Sequence, residues 1–365
     1  MTQSQERLSA SAPGRVCLFG EHQDYLDLPV IPCAISRRIT ISGHRGDDKR
    51  IELALPDVHA EVAFTIEDCV PYRDARDYFR SAVNVLQRAG FTFSHGLRGL
   101  VRGDIPINSG TSSSSALVVA WVNLLARLSD QQRTLAPTAC AALAHAAEVL
   151  EFHEPGGMMD HYATALGGVI GIEFHPELQI ERLPAQLGTI VLGDSGEPKD
   201  TTAILARVKS GVLAWVAQLK RKHPAFSLHT VPLAELDRYT AGCDRESAAL
   251  LWGTVANRDL TRTAWSLLQQ PRVDQHRLGA LLNECQNILR DQLRISTPKI
   301  DRMLDAALAA GAYGGKINGS GGGGCMFVYA PEQPEKVAAA ITAAGGKAHL
   351  VQVDCGTQLA AAESV

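Results

Sequence analysis

Short apolar runs separated by turns dominate the first hundred residues. After the turn at Pro13-Gly14, residues 16–19 are apolar and read as a strand. Residues 29–41 form a second apolar stretch with Arg37 and Arg38 inside it, and residues 51–55 and 62–66 alternate as half-buried strands do. Residues 76–89 carry helical spacing (Tyr78, Phe79, Ala82, Val83, Leu86) and stop at Gly90, a natural C′ residue. Residues 97–101 predict a strand that feeds a loop of Pro106, Asn108, Gly110 and four serines, Ser112 to Ser115. An apolar helical run follows to residue 126. Pro137 opens an alanine-rich helix that carries His145, which suits a core or surface position better than a ligand. Residues 169–172 predict a strand, expected to be the last of a first domain.

The pattern then changes. Residues 187–192 predict a crossing strand, and residues 203–220, 245–269 and 276–292 are helical by spacing. Thr297-Pro298 reads as N-cap and N1 of another helix that Gly311 closes. Residues 314–324 read as a glycine-rich loop before a strand at 325–329, with a helix at 336–344 and a final strand at 348–353. A length of 365 residues predicts two domains, divided here into 1–185 and 186–365.

Composition narrows the function. Hydrophobic residues are 45%, enough for ordinary cores, and the net charge is −4 with no block of like sign. A nucleic-acid or anionic-membrane partner is therefore not expected. No apolar leader stands at the N-terminus and no run is long enough to span a membrane. The eight cysteines show neither C-x-x-C nor zinc spacing, so they read as reduced thiols of a cytoplasmic protein.

Three stretches carry candidate chemistry. The serine loop precedes a helix, where free N–H groups and the helix dipole favour an anion. It is either a cradle for a triphosphate or one N-cap serine with polar neighbours; no G-K-[ST] follows, so it is not a P-loop. Glu21, His22, Asp24 and Tyr25 crowd the end of a predicted strand, where they either hold a polyhydroxylated ligand or form a polar turn. Asp160, among glycines and apolar residues, is either a helix cap or a carboxylate kept near a reacting hydroxyl. Lys316, in the glycine-rich loop, is a further candidate for meeting a phosphate.

Four segments agree in order and spacing with one family. S-A-P-G-R-V-C-L-F-G-E-H-Q-D-Y (11–25), P-I-N-S-G-T-S-S-S-S-A (106–116), G-G-M-M-D-H (156–161) and K-I-N-G-S-G-G-G-G-C (316–325) resemble the motifs of the GHMP kinases. That family includes galactokinase, homoserine kinase, mevalonate kinase and phosphomevalonate kinase. The resemblance implies an α+β fold with an N-terminal domain like ribosomal protein S5 domain 2 and a ferredoxin-like C-terminal domain. It implies ATP and Mg²⁺, a small-molecule acceptor, and a monomer or homodimer.

Residue by residue, it implies that Asp160 and Arg15 act on the hydroxyl being phosphorylated. Glu21, His22, Asp24 and Gly157 would contact a sugar. Ser109, Gly110, Thr111, Ser112, Ser113, Ser114 and Ser115 would hold the triphosphate, and Ser114 with Glu148 would hold Mg²⁺. G-E-H-x-D-Y resembles the galactokinase signature, which points to C1 of galactose or a related sugar.

The departures keep other acceptors open. Cys17 stands where galactokinases have Asn, Thr111 replaces Leu, and Ser115 replaces Ala. Residues 191–208 look more like mevalonate kinase. Mevalonate, a heptose and an amino sugar are alternative acceptors, and a catalytically silent sugar sensor is the alternative from another class.

Overall fold

The structure is a computed structural model of the chain; it describes residues 6–107, 110–198 and 201–360. Its first sheet is built from β1 (Arg7–Phe19), β2 (Ile31–Arg45), β3 (Arg50–Leu55), β4 (Ala60–Thr65) and β5 (Leu97–Gly103). A short strand near the chain's end, Gln358–Ala360, joins them, so the six-stranded order is Gln358–Ala360, β1, β2, β5, β3, β4. β1 and β2 pair antiparallel from Arg7↔His44 to Phe19↔Ile31, with shifts of register after Pro13 and Cys17.

Alternation along β1 explains what packs on it. Leu8, Ala10, Ala12 and Cys17 enter one core, while Val16 and Leu18 enter another. Over the first face lie α1 (Tyr78–Arg88), α2 (Ser113–Leu128), α3 (Pro137–His145) and α4 (Met159–Leu166). From Ala116 to Leu128 the α2 sequence is apolar nearly all round, which is the pattern of a helix surrounded by protein, and most of those side chains are buried.

Residues 169–172 are not the last strand of this half. β6 (Ile170–Glu173) folds back on β7 (Gln179–Arg182) as a separate hairpin. The second sheet contains β8 (Ile190–Asp194), β9 (Gly314–Ile317), β10 (Cys325–Tyr329) and β11 (Lys347–Val351), and the end strand Gln358–Ala360 is β12. Its order, β11-β8-β10-β9, is antiparallel throughout and is the 4-1-3-2 order of a ferredoxin-like sheet. Helices α5 (Thr201–Leu205), α6 (Gly211–Lys222), α7 (Leu236–Thr240), α8 (Arg245–Leu268), α9 (Gln275–Asp291), α10 (Pro298–Ala309) and α11 (Pro334–Ala343) complete this half, with α9, α10 and α11 packed on the sheet. Thr297 caps α10 by accepting from the Ile300 N–H, as the Thr-Pro pair predicted.

The sequence division at 185/186 does not separate two cores. Val16, Leu18, Phe19, Ile31 and Ile35 pack with Leu251, Leu282 and Phe327 in one cluster, and β12 returns to the first sheet. The expected loop at 314–324 is also shorter, because its first four residues are β9, paired with β10. No helix among the described residues is long and apolar enough to cross a membrane.

Candidate active site

Three segments converge where β1 ends. α2 begins at Ser113, and its N-cap Ser112 is held at φ 60° without a side-chain cap bond. A serine in the left-handed region is strained, and Gly110 just before it lies at φ +89°, where glycine is the tolerated residue. These two positions shape the turn that opens α2, and its first residues, Ser113 to Ser115, line a cleft of about 390 Å³. Arg15, Glu21, His22, Asp24, Gly110, Ser112 to Ser115, Glu148, Gly157 and Asp160 all line it.

Arg15 and Asp160 form its centre. Arg15 Nε and Nη2 lie 2.8 and 2.7 Å from Asp160 Oδ1. Arg15 Nη1 donates to the Gly110 carbonyl and its backbone N–H to Thr111 O at 3.1 Å, so the guanidinium is fixed to the serine loop. Burial works against the Arg15 charge, but Asp160, with Cys17 and Glu21 adding to it, leaves the pKa above its ordinary value. Burial likewise pushes Asp160 up; Arg15 and the nearby Ser112 hydroxyl pull it down further, and the carboxylate ends below its ordinary range. That hydroxyl is buried and meets no partner at hydrogen-bond geometry.

Asp24 sits opposite. Its Oδ2 accepts the Met159 N–H at 3.3 Å and its Oδ1 the Tyr25 N–H at 3.0 Å. Burial raises its pKa to about 6, with repulsion from Asp160 adding to the rise and the two N–H groups opposing it. Gly157 allows this approach, because a Cβ there would stand 2.0 Å from Asp24 Oδ2.

Glu148 lies in a π turn, Ala146–Leu150, that continues α3. Such a one-residue widening re-aims side chains and is frequent at functional sites. His161 Nε2 is 2.7 Å from Glu148 Oε2. Ser114 is exposed at the helix start, and Glu148 lines the same cleft. One carboxylate and one hydroxyl fit Mg²⁺, which takes oxygen ligands, keeps waters and is otherwise held by phosphates.

Four expectations need correction, and a fifth, Ser109, lies outside the described residues. Lys316 does not face the cleft: it is fully buried on β9, donates to the Cys17 and Ile317 carbonyls, and pairs with Glu21 Oε1. Glu21 is therefore only partly available to a ligand; its Oε2 has no partner, but Oε1 belongs to Lys316. His22 does not offer its ring, since Nδ1 meets the Tyr25 hydroxyl at 2.6 Å and Nε2 the Ser320 carbonyl at 3.0 Å. Thr111 lies beneath the loop, 1% exposed, with its carbonyl on β1 rather than in the cleft.

Asn318 was missed. It is fully buried, accepts the Cys17 N–H at 2.8 Å and donates to Gly110 O at 2.8 Å. It thereby ties the glycine-rich segment to both β1 and the serine loop. Its place in K-I-N-G-S-G-G-G-G-C was the available signal, but glycines drew attention to the loop backbone instead.

The family comparisons agree with this architecture. Residues 77–168 match the GHMP kinases N terminal domain, residues 267–347 match GHMP kinases C terminal, and residues 2–45 match the galactokinase galactose-binding signature. A mevalonate kinase of Pyrococcus furiosus is 28% identical over 356 residues, covering 95% of this chain and 96% of its own. A galactokinase of Actinobacillus succinogenes is 28% identical over 349 residues, covering 90% and 87%. The fold is also that of Lactococcus lactis galactokinase, solved with galactose, at TM-score 0.84, 20% identity, and coverage of 97% of this chain and 95% of that one.

Proposed function

The chain belongs to the GHMP kinases, and from that premise we propose that it transfers the γ-phosphoryl group of ATP to a hydroxyl of a neutral sugar, C1 of galactose or a close relative. The observation that carries the sugar reading is the charge of the acceptor end. Glu21, Asp24 and Asp160 line it; Glu21 pairs with Lys316, Asp160 with Arg15, and the cleft's other arginine, Arg76, with Glu154, so of the three carboxylates Asp24 alone has no ion-pair partner among the described residues. A polyol can donate its hydroxyls there, whereas an acceptor bearing its own carboxylate meets Asp24, and among the described residues that line the cleft no arginine or lysine is left unpaired to answer it.

In this reading the α2 N-terminus and Ser112 to Ser115 hold the phosphates. A second hollow shares Arg76 and Tyr78 as walls and has Val62, Ala63 and Leu117 along it, which gives room for the nucleoside. Mg²⁺, when bound to Ser114 and Glu148, neutralises phosphate charge. Arg15 supplies fixed positive charge toward the migrating phosphoryl group. Asp160 stays ionised at working pH and so orients and polarises the acceptor hydroxyl; its lowered pKa makes it a weak proton acceptor in the early transition state. Loose phosphoryl-transfer transition states need placement and charge more than proton removal.

Mevalonate is the second reading, favoured by the identity to the Pyrococcus furiosus enzyme over nearly the whole chain. Heptoses and amino sugars remain further acceptors to test; a silent sugar sensor has less support, because the serine loop and Asp160 both stand. The test is ADP release against galactose, other aldoses, a heptose, an amino sugar and mevalonate. Turnover of a neutral sugar is expected; turnover of mevalonate alone overturns the proposal. Asp160→Asn should lower kcat by roughly 10²–10⁴ while ATP binding persists. Near-normal turnover would refute a role for Asp160 in the chemical step.

A further inference from the structure

His161 follows Asp160 on α4 and is 1% exposed. Its Nε2 stands 2.7 Å from Glu148 Oε2, and the two side chains are 2% and 9% exposed. A carboxylate can only accept, so Nε2 carries the hydrogen. The other ring nitrogen, Nδ1, is buried with no partner. The His145 ring lies edge-on to His161 at 5.3 Å and covers it. Burying a polar ring with one nitrogen unsatisfied costs stability, and the hydrogen bond to Glu148 is the one polar use of that ring the structure shows. Glu148 Oε1 carries no hydrogen bond among the described residues, and Glu148 lines the cleft beside Ser114.

We propose that His161 is a positioning residue for the metal carboxylate. It clamps Glu148 Oε2, so that Oε1 is presented to a divalent cation entering with the nucleotide. The inference rests on the reading of Glu148 as a metal ligand. Adjacent residues of one helical turn then serve the two halves of the reaction, with Asp160 held by Arg15 on the acceptor side and His161 holding Glu148 on the metal side. A partner that fixes a metal ligand's orientation is commonly worth 10–100-fold in metal affinity.

The test measures Mn²⁺ binding by electron paramagnetic resonance in the presence of ADP, using the full chain, with metal-free ADP affinity and acceptor KM measured alongside. His161→Leu should weaken Mn²⁺ binding about 10–100-fold, with metal-free ADP affinity and acceptor KM unchanged. His161→Gln, which keeps an N–H near the Nε2 position, should restore it. Glu148→Gln is the control: if it leaves Mn²⁺ binding unchanged, the reading of Glu148 itself fails. If Glu148→Gln weakens Mn²⁺ binding and a folded His161→Leu does not, the role of His161 alone is overturned. A His161→Gln variant as weak as His161→Leu also overturns it. Should His161→Leu not fold, the ¹⁵N resonance of His161 in the unmodified protein decides. Its Nε2–H signal should move when Mg²⁺ is added to the ADP complex, and no movement refutes the clamp.

Discussion

Replacing Lys316 with methionine removes one partner of an ion pair that has no contact with bulk water. Lys316 is 0% and Glu21 1% exposed. The ammonium spends its donors on Cys17 O, Ile317 O and Glu21, and it lies 4.9 Å from the Phe327 ring centroid. Methionine fills a similar volume, so the chief loss is charge compensation. Glu21 would then be a buried carboxylate with Oε2 already unpartnered. Breaking a buried pair in this way costs about 3–5 kcal/mol. At about 2–4 °C per kcal/mol for large domains, Tm should fall by roughly 6–20 °C. The double variant Lys316→Met/Glu21→Gln removes both charges and should recover most of that loss, giving a large coupling term. Thermal unfolding followed by circular dichroism, with calorimetry to check cooperativity, measures all four members of the cycle. A single variant that unfolds within a degree or two of the parent refutes the argument, as does a double variant damaged by the sum of both singles. Acceptor KM measured on Glu21→Gln separates the two duties of Glu21, because a purely structural carboxylate would leave it unchanged.

Four further outcomes follow from the site. Asp24 has a folded pKa of about 6 against an ordinary 3.8, so the folded state binds the extra proton and Asp24 weakens the fold as pH rises through that window; Asp24→Asn should raise Tm at pH 8 and lose that gain near pH 4. Sugar KM in the parent should rise as pH falls through about 6, because a protonated Asp24 is a poorer acceptor, and a KM flat from pH 5 to 8 would contradict this. Gly157→Ala places a methyl 2.0 Å from Asp24 Oδ2 and should raise acceptor KM at least about tenfold, roughly 1.4 kcal/mol, with ATP KM little changed; equal effects on both substrates would show that the carboxylate is not what the methyl displaces. Asn318→Ala strands the Cys17 N–H and weakens the grip on Gly110 O, so it should cost about 1–3 kcal/mol of stability and raise ATP KM, measured by unfolding and initial rates; a loss of stability with ATP KM intact would confine Asn318 to the scaffold.

The sequence made the elements of the site readable because each has a local signature. A run of serines before an apolar helix, Asp160 among glycines, and Thr297-Pro298 all announce themselves within a few residues. Pairing across distant segments has no such signature. Lys316 looked free because lysine is seldom buried, and only the fold brings it to Glu21, 295 residues away in the chain. His22 looked available in part for the same reason: Tyr25 is only three residues on, but the Ser320 carbonyl that takes the other ring nitrogen lies 298 residues away in the chain. The π turn at Ala146–Leu150 leaves no mark on an alanine-rich helical pattern, yet it carries Glu148. Residues 314–317 read as loop because glycine is poor strand material, but Gly315 faces Val328 too closely to carry a side chain, so β9 tolerates what propensity alone would reject.

The pairing of β12 with β1 sets a schedule for making the molecule. Ser9, Ala10 and Ser11 stand opposite Ala360, Leu359 and Gln358, and Arg38 reaches Asp354 and the carbonyls of Cys355 and Gly356. A ribosome delivers β12 more than three hundred residues after β1, so the outer edge of that sheet waits bare while everything between the two strands is made. An expression fragment cut before Gln358 would keep that edge bare for good.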